Sequence, residues 1–248
     1  MLTSTANPLI KQITALHSAK GRQKQRRCIA EGMRTLETMI RAGWRADHIY
    51  ATSTLYHDAI DKFQNIPITA VSDTVMNKIS AATTPSGILG VFPLPGIPDP
   101  KKLSAGIVLA GIADPGNMGT LIRSCAAFDK HSVVVIEGCD PFAPKVIQST
   151  AGTIAHVTIF EWTWQELLQH KGSLELICLV SAGGMPPEQL KITEGLLVIG
   201  SEAHGVPPLW QADCEHKVTI PMPGGTESLN AGVAGSIGLY ALWTGRKY

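Results

Sequence analysis

Six short apolar or β-branched runs recur along the second half of the chain, at 107–112, 133–136, 156–159, 174–180, 196–199 and 217–220. In most of them apolar residues stand side by side instead of alternating with polar ones. A strand needs that composition when both faces of its sheet are covered. Segments with helical spacing lie between the runs, at 119–128, 144–151, 164–170 and 208–214, and a Gly- and Ala-rich helix is expected at 229–243. Alternation of strand and helix predicts an α/β fold built on a parallel sheet.

Residues 1–95 show the same alternation in a weaker form. Helices are expected at 7–19, 32–42, 55–63 and 73–80, and strands at 27–30, 48–51, 66–71 and 88–92. The stretch FPLPGIPDPKK at 92–102 separates the halves, and its four prolines and one glycine cannot hold a helix or a central strand. The chain therefore reads as a small α/β domain at 1–95, a linker at 96–103 and a parallel-sheet domain at 104–248.

Composition narrows the class. With 44% hydrophobic and 17% charged residues the chain is an ordinary globular protein. No apolar run reaches the roughly 18 residues of a membrane span, and MLTSTANPLIKQ lacks the apolar core of a signal peptide. A cytoplasmic protein without membrane contact is expected. The five cysteines form no CxxC pair, and none stands beside a histidine at ligand spacing, so reduced thiols and no metal are expected.

A net charge of +1 conceals an uneven distribution. Residues 1–95 carry 11 Lys and Arg against 6 Asp and Glu, and the remainder carries 10 against 14. Lys20, Arg22, Lys24, Arg26 and Arg27 follow one another without an acid. Such a cluster attracts a phosphate backbone by releasing its counterions, which makes these five residues candidates for RNA binding. A solvated basic face is the competing interpretation.

Three loops follow strand ends, where parallel sheets bind ligands. The first runs from Asp114 to Arg123 with the pattern N-x-G-x-x-x-R beginning at Asn117; Asn117 has the chemistry of a helix cap, and Arg123 can reach a phosphate or sugar. The second, G-x-E-x-x-G from Gly200, sets Glu202 between glycines. His204 in that loop has no carboxylate in sequence to orient it as an acid or base. The third, I-P-M-x-G-x-x-x-S-L-N from Ile220 to Asn230, forces an irregular path whose backbone groups are free to meet a ligand, and Ser228 is a natural N-cap.

Taken together and in this order, the loops resemble the three motifs of the SpoU/TrmH RNA ribose 2′-O-methyltransferases of the SPOUT class, over roughly residues 105–245. The opening Asn7-Pro8-Leu9-Ile10-Lys11 and the turn Ile29-Ala30-Glu31-Gly32 are similar to the substrate-binding domain often fused to that family. The resemblance implies a C-terminal domain tied in a deep trefoil knot, S-adenosylmethionine as cofactor, RNA as substrate and a homodimer with its active site near the subunit interface. It implies cofactor contacts at Ser181, Gly200, Ile220, Met222 and Leu229. It places Arg123, Asn117, Glu202, Ser228 and Asn230 at catalytic, substrate or supporting positions. Gly232, Ala234, Gly235, Ser236 and Gly238 would let a partner helix approach. Ribosomal RNA is the expected substrate, with transfer RNA as the alternative.

Two other readings compete. A dinucleotide-dependent dehydrogenase would need G-x-G-x-x-G, but the glycines after the first strand of this half are Gly111, Gly116 and Gly119. A non-catalytic RNA-binding module would need only the basic domain and leaves the polar residues of all three loops without a role.

Overall fold

The computed structural model describes residues 1–192 and 194–243; residues 244–248, the end of the expected second domain, lie outside the described residues. The chain forms two compact units. One contains residues 1–96 together with 142–155, and the other contains 97–141 and the chain from 156 onward.

In the first unit, α1 (Pro8–Ala15) starts on Asn7, whose side chain accepts from Leu9 N at 2.9 Å, with Pro8 at the first helical position. The expected helix at 7–19 stops there. A second helix, α2 (Ala19–Gln25), follows on the cap Ser18. Gly21 permits this break, since a Cβ there would lie 1.8 Å from the carbonyl oxygen of Ala15. Next come β1 (Arg27–Glu31), α3 (Met33–Arg41), β2 (His48–Thr52), α4 (Ser53–Lys62), β3 (Ile68–Val71), α5 (Asp73–Ile79) and β4 (Ile88–Pro93). The strands form a four-stranded sheet in the order β1-β4-β2-β3, in which β4 runs antiparallel to both neighbours and β2 parallel to β3. Ile10, Ile13 and Leu16 join Val75, Met76 and Ile79 over Ile29, Leu89 and Val91 in one core. Glu31 is buried, and its carboxylate accepts from Ser80 Oγ at 2.6 Å and Ala81 N at 2.7 Å, tying β1 to the turn after α5.

The second unit holds β5 (Gly106–Ala110), α6 (Pro115–Ala127) and β6 (Ser132–Ile136). The chain then leaves it for α7 (Pro144–Thr150), which packs on β1 of the first unit. Gly152, with φ +88°, allows the approach: a Cβ there would lie 2.6 Å from the carbonyl oxygen of Thr35 in α3. Periodicity places a helix at 144–151 but carries no information on which core its apolar side joins. The second unit resumes with β7 (Thr158–Glu161), α8 (Trp164–His170), β8 (Glu175–Leu179), β9 (Gly195–Gly200), α9 (Pro208–Ala212), β10 (His216–Val218) and α10 (Ala231–Trp243). Its six strands are all parallel, in the order β10-β8-β9-β5-β6-β7. Every residue of β5 and β6 is buried, as side-by-side apolar residues require. Trp164 and Leu167 of α8 cover one face over Val108, Val134 and Val198, and α6 and α10 pack together beside β9.

Among the described residues no helix is long and apolar enough to cross a membrane. None of the five cysteines forms a disulfide, and burial pushes the Cys125 thiol up to about 12.

Candidate functional site

The three loops meet. Helix α6 begins at Pro115, earlier than expected, and its cap is Asp114, whose carboxylate accepts from Asn117 N at 2.8 Å. Asn117 is therefore not the cap: it stands in the first turn, and its side-chain amide is not spent on capping. That amide donates to Glu202 Oε1 at 2.8 Å, joining the first loop to the second. Partial burial raises the affinity of Glu202 for its proton, but the bonds from Asn117 and from backbone N–H groups including those of Ala113 and Asp114 outweigh it and hold the carboxyl below its ordinary range. Glu202 is thus an anion at neutral pH.

The third loop arrives at the same place. Helix α10 begins at Ala231, and Asn230, not Ser228, supplies the cap: its Oδ1 accepts from Val233 N at 3.2 Å. Ser228 is exposed two residues upstream of that cap. A Cβ at Gly232 would stand 3.2 Å from Asn230 Oδ1 and 3.3 Å from Asn117 Oδ1, so a glycine here lets the first and third loops close on each other.

A cleft of about 730 Å³ opens between the loops at the ends of β8 and β9 and the loop before α10. Ser181, Gly200, Ile220, Met222 and Leu229 all line it, as do Glu202, Ser228 and Asn230. Its walls mix apolar side chains, such as Leu179 and Ile199, with the backbone of irregular loops. Gly200 is indispensable to its shape: a Cβ would lie 2.0 Å from the backbone of Gly205, where the second loop folds back on its own strand. Sequence patterns miss the contributions of Val180, Gln211 and Ala234. Val180 and Gln211 carry no motif, and Ala234 reads as helix packing.

Such a cleft fits S-adenosylmethionine. Its size suits a ligand with a nucleoside and an amino-acid part, its mixed lining offers both apolar contact and backbone hydrogen bonds, and Glu202 supplies negative charge for a sulfonium. Among the described residues no group of three His, Cys, Asp or Glu could hold a metal ion.

Two groups of expected site residues lie elsewhere. Arg123 is exposed on α6 and does not line the cleft. The basic cluster is not uniform. Lys20, Lys24, Arg26 and Arg27 are exposed, but Arg22 is only 3% exposed, and its Nη1 donates to the carbonyls of Leu16 at 2.8 Å and His17 at 3.0 Å. Those carbonyls end α1 and have no helical partner, so the guanidinium serves the fold. Arg27 pairs with Asp47 at 2.6 Å, and Arg26 donates to the carbonyl of Pro95 at 3.0 Å.

The small residues of α10 also depart from expectation. Gly235 and Gly238 face inward, where a Cβ on Gly235 would lie 2.3 Å from Leu121 Cδ2 of α6 and one on Gly238 2.9 Å from Leu197 Cδ2 of β9. Ser236 bonds Ser124 of α6 at 2.7 Å. These residues let α10 settle against its own subunit. The exposed side of the helix carries Val233, Ile237 and Tyr240 instead.

The family model described as "SpoU rRNA Methylase family" matches residues 104–240, and one described as "MRM3-like substrate binding domain" matches residues 7–90. An uncharacterized tRNA/rRNA methyltransferase of Synechocystis sp. is 30% identical over 96% of this chain and 92% of its own length. The 23S rRNA (guanosine(2553)-2'-O)-methyltransferase RlmP of Bacillus subtilis is 24% identical over 97% of this chain and 98% of its own. The crystal structure of an AdoMet-bound rRNA methyltransferase from Sinorhizobium meliloti superposes with a TM-score of 0.86 at 22% identity, covering 97% of this chain and 96% of that one.

Proposed function

Because the chain belongs to the SpoU rRNA methylase family, and so is an RNA 2′-O-methyltransferase that uses S-adenosylmethionine, we propose that it acts in the cytoplasm on ribosomal RNA, as a homodimer whose active site lies at the subunit contact. One observation carries the assignment of the site: the second and third loops line one cleft, and the first is tied to its rim by the bond between Asn117 and Glu202. The names borne by RlmP and the Sinorhizobium protein favour ribosomal over transfer RNA. Mapping 2′-O-methyl groups in ribosomal and transfer RNA from a deletion strain tests the choice. Loss of a single methyl group from ribosomal RNA is expected, and loss from transfer RNA alone overturns it.

Backbone and side chains at Ser181, Gly200, Ile220, Met222 and Leu229 hold the cofactor, which supplies an activated methyl group on a sulfonium. The chain's own residues then have to present a ribose hydroxyl in line and dispose of its proton. Alignment of two reactants can contribute up to about 7–11 kcal/mol. Asn230 caps α10 through its Oδ1, which leaves its amide N–H groups free for the sugar, and Ser228 stands beside it. Glu202 fixes Asn117 and with it the start of α6. Arg123 binds the phosphate next to the target ribose and orients the group that takes the proton, a phosphate oxygen or a water. A guanidinium itself releases a proton too reluctantly to serve as the base. The trefoil knot belongs to the same reading, and the close backbone approaches at Gly184 and Gly200 suit a chain threaded through its own loop.

The dimer contact follows from α10. Val233, Ile237 and Tyr240 recur at i, i+4 and i+7 as a stripe of exposed apolar residues. A two-fold contact there repeats each residue about the axis. Ile237→Asp is expected to shift the protein to monomer in light scattering and to depress methyl transfer with it; an unchanged dimer would exclude this face.

The first unit supplies RNA affinity through exposed cations. Neutralising Lys20, Lys24 and Arg26 together is expected to weaken RNA binding and to lower its salt slope by about 0.7–0.9 for each phosphate that the protein no longer neutralises. An unaltered slope in a salt titration returns the cluster to plain surface. Arg22→Ala is expected to act differently, lowering the melting temperature, because one buried and one part-buried carbonyl lose their donor.

A further inference from the structure

A second cleft, of about 400 Å³, opens in the first unit between the start of α4, the start of α5 and the turn before β4. Thr52, Thr54, Asp73, Asn77 and Ser86 line it, with Gly87 in the turn. Thr52 is only 7% exposed and sits at the N-cap of α4, yet its side chain makes no capping bond. Among the described residues its hydroxyl has no hydrogen-bond partner. Gly87, with φ +80°, keeps that hydroxyl uncovered, since a Cβ there would lie 3.1 Å from Thr52 Oγ1. The hydroxyl of this otherwise buried residue opens into the cleft with no bond inside the fold, so it is available to a ligand. The ten-residue α4 adds the N–H groups of its first turn, which have no helical acceptor.

The lining defines what would fit. Thr52 and the first turn of α4 offer donors, Asp73 offers a carboxylate acceptor, and the Asn77 amide offers both. No Lys or Arg lines the cleft, and Asp73 repels a phosphate. The ligand is therefore uncharged, with an acceptor on one edge and adjacent N–H donors beside it. An unpaired guanine has that pattern: O6 accepts, and N1–H and the 2-amino group together match the two oxygens of a carboxylate. Single-stranded RNA presents such bases splayed from the stack.

We propose that this cleft receives an unpaired guanine of the RNA substrate, with Thr52 and the start of α4 reading its acceptor and Asp73 its donors. The proposal rests on the methyltransferase reading and adds base recognition to the phosphate contacts, which position RNA without specifying sequence.

The test uses the full chain and short oligouridines carrying one central guanine, one inosine, which lacks the 2-amino group, or uridine alone. Fluorescence anisotropy is expected to show the guanine oligomer bound at least about tenfold more tightly than the other two. Asp73→Asn should erase that preference. Thr52→Val should weaken guanine binding while leaving the melting temperature unchanged or raised, because no bond within the fold is lost. Equal or undetectable binding of the three oligomers by the wild type overturns the proposal, as does a retained preference in Asp73→Asn or a lowered melting temperature in Thr52→Val. Transfer of labelled methyl groups from S-adenosylmethionine to ribosomal or transfer RNA is measured on the same preparation. Transfer without guanine preference removes the cleft alone, and absence of transfer removes the enzymatic reading beneath it.

Discussion

Arg123→Ala is expected to lower methyl transfer by about 10²–10⁴-fold, the range a positioned proton-transfer arrangement contributes, without harm to the fold. The structure supports the second half of that expectation. Arg123 is exposed on α6, and among the described residues it makes no hydrogen bond or ion pair, so its removal costs the folded state little. It also lies outside the cleft proposed for the cofactor, so S-adenosylmethionine should raise the melting temperature of the variant as much as that of the wild type. Single-turnover methylation, scored beside that thermal shift, checks the prediction. Near-normal turnover would take Arg123 out of the mechanism, and loss of the thermal shift would make it a cofactor-site residue instead.

Gly235→Trp is expected to prevent the second unit from folding. Even a methyl group at this position would meet Leu121 Cδ2 at 2.3 Å and Ile199 Cδ1 at 2.8 Å, both buried. Inserting extra atoms into a packed core costs about 1–3 kcal/mol for small additions, and an indole is far larger. Helix α10 cannot retreat freely, because Asn230 at its start belongs to the cleft. The variant should be recovered as aggregate, or as a chain with a broadened, early melting transition. A soluble monomer with native melting would instead place Gly235 at the dimer contact and Val233, Ile237 and Tyr240 outside it.

The contrast between those helix faces shows what the amino-acid pattern can carry. The six strands of the second unit were legible because apolar residues at consecutive positions have few other uses, and the observed strands fall within a residue or two of the expected runs. The three motif loops were legible because their glycines and prolines recur at strand ends. The caps were not: Asp114 and Asn117 both have the side chain for the task, and the proline after Asp114 tipped the start of α6 toward the earlier residue. Ser228 and Asn230 likewise both have the side chain for the task, and there the later residue takes it. Arg22 reads as one cation among five, since a charge count is blind to the carbonyls left unpaired by the end of α1. On α10, small residues suit a partner helix or a neighbouring helix equally well, and only the positions of Leu121 and Ile199 decide.

The excursion of residues 142–155 bears on any attempt to take this protein apart. A gene cut at the proline-rich stretch would yield a front fragment lacking α7, with the side of β1 that this helix covers left bare. The back fragment would carry an orphan: Val146, Ile147 and Thr150, buried in the whole chain, would have nothing to lie against. Each fragment would thus display an apolar surface complementary to the other. Mixed together, they are candidates for reassembly by complementation, and apart, for aggregation. The first unit is accordingly not a detachable cassette, and the RNA affinity proposed for it is expected of the intact polypeptide.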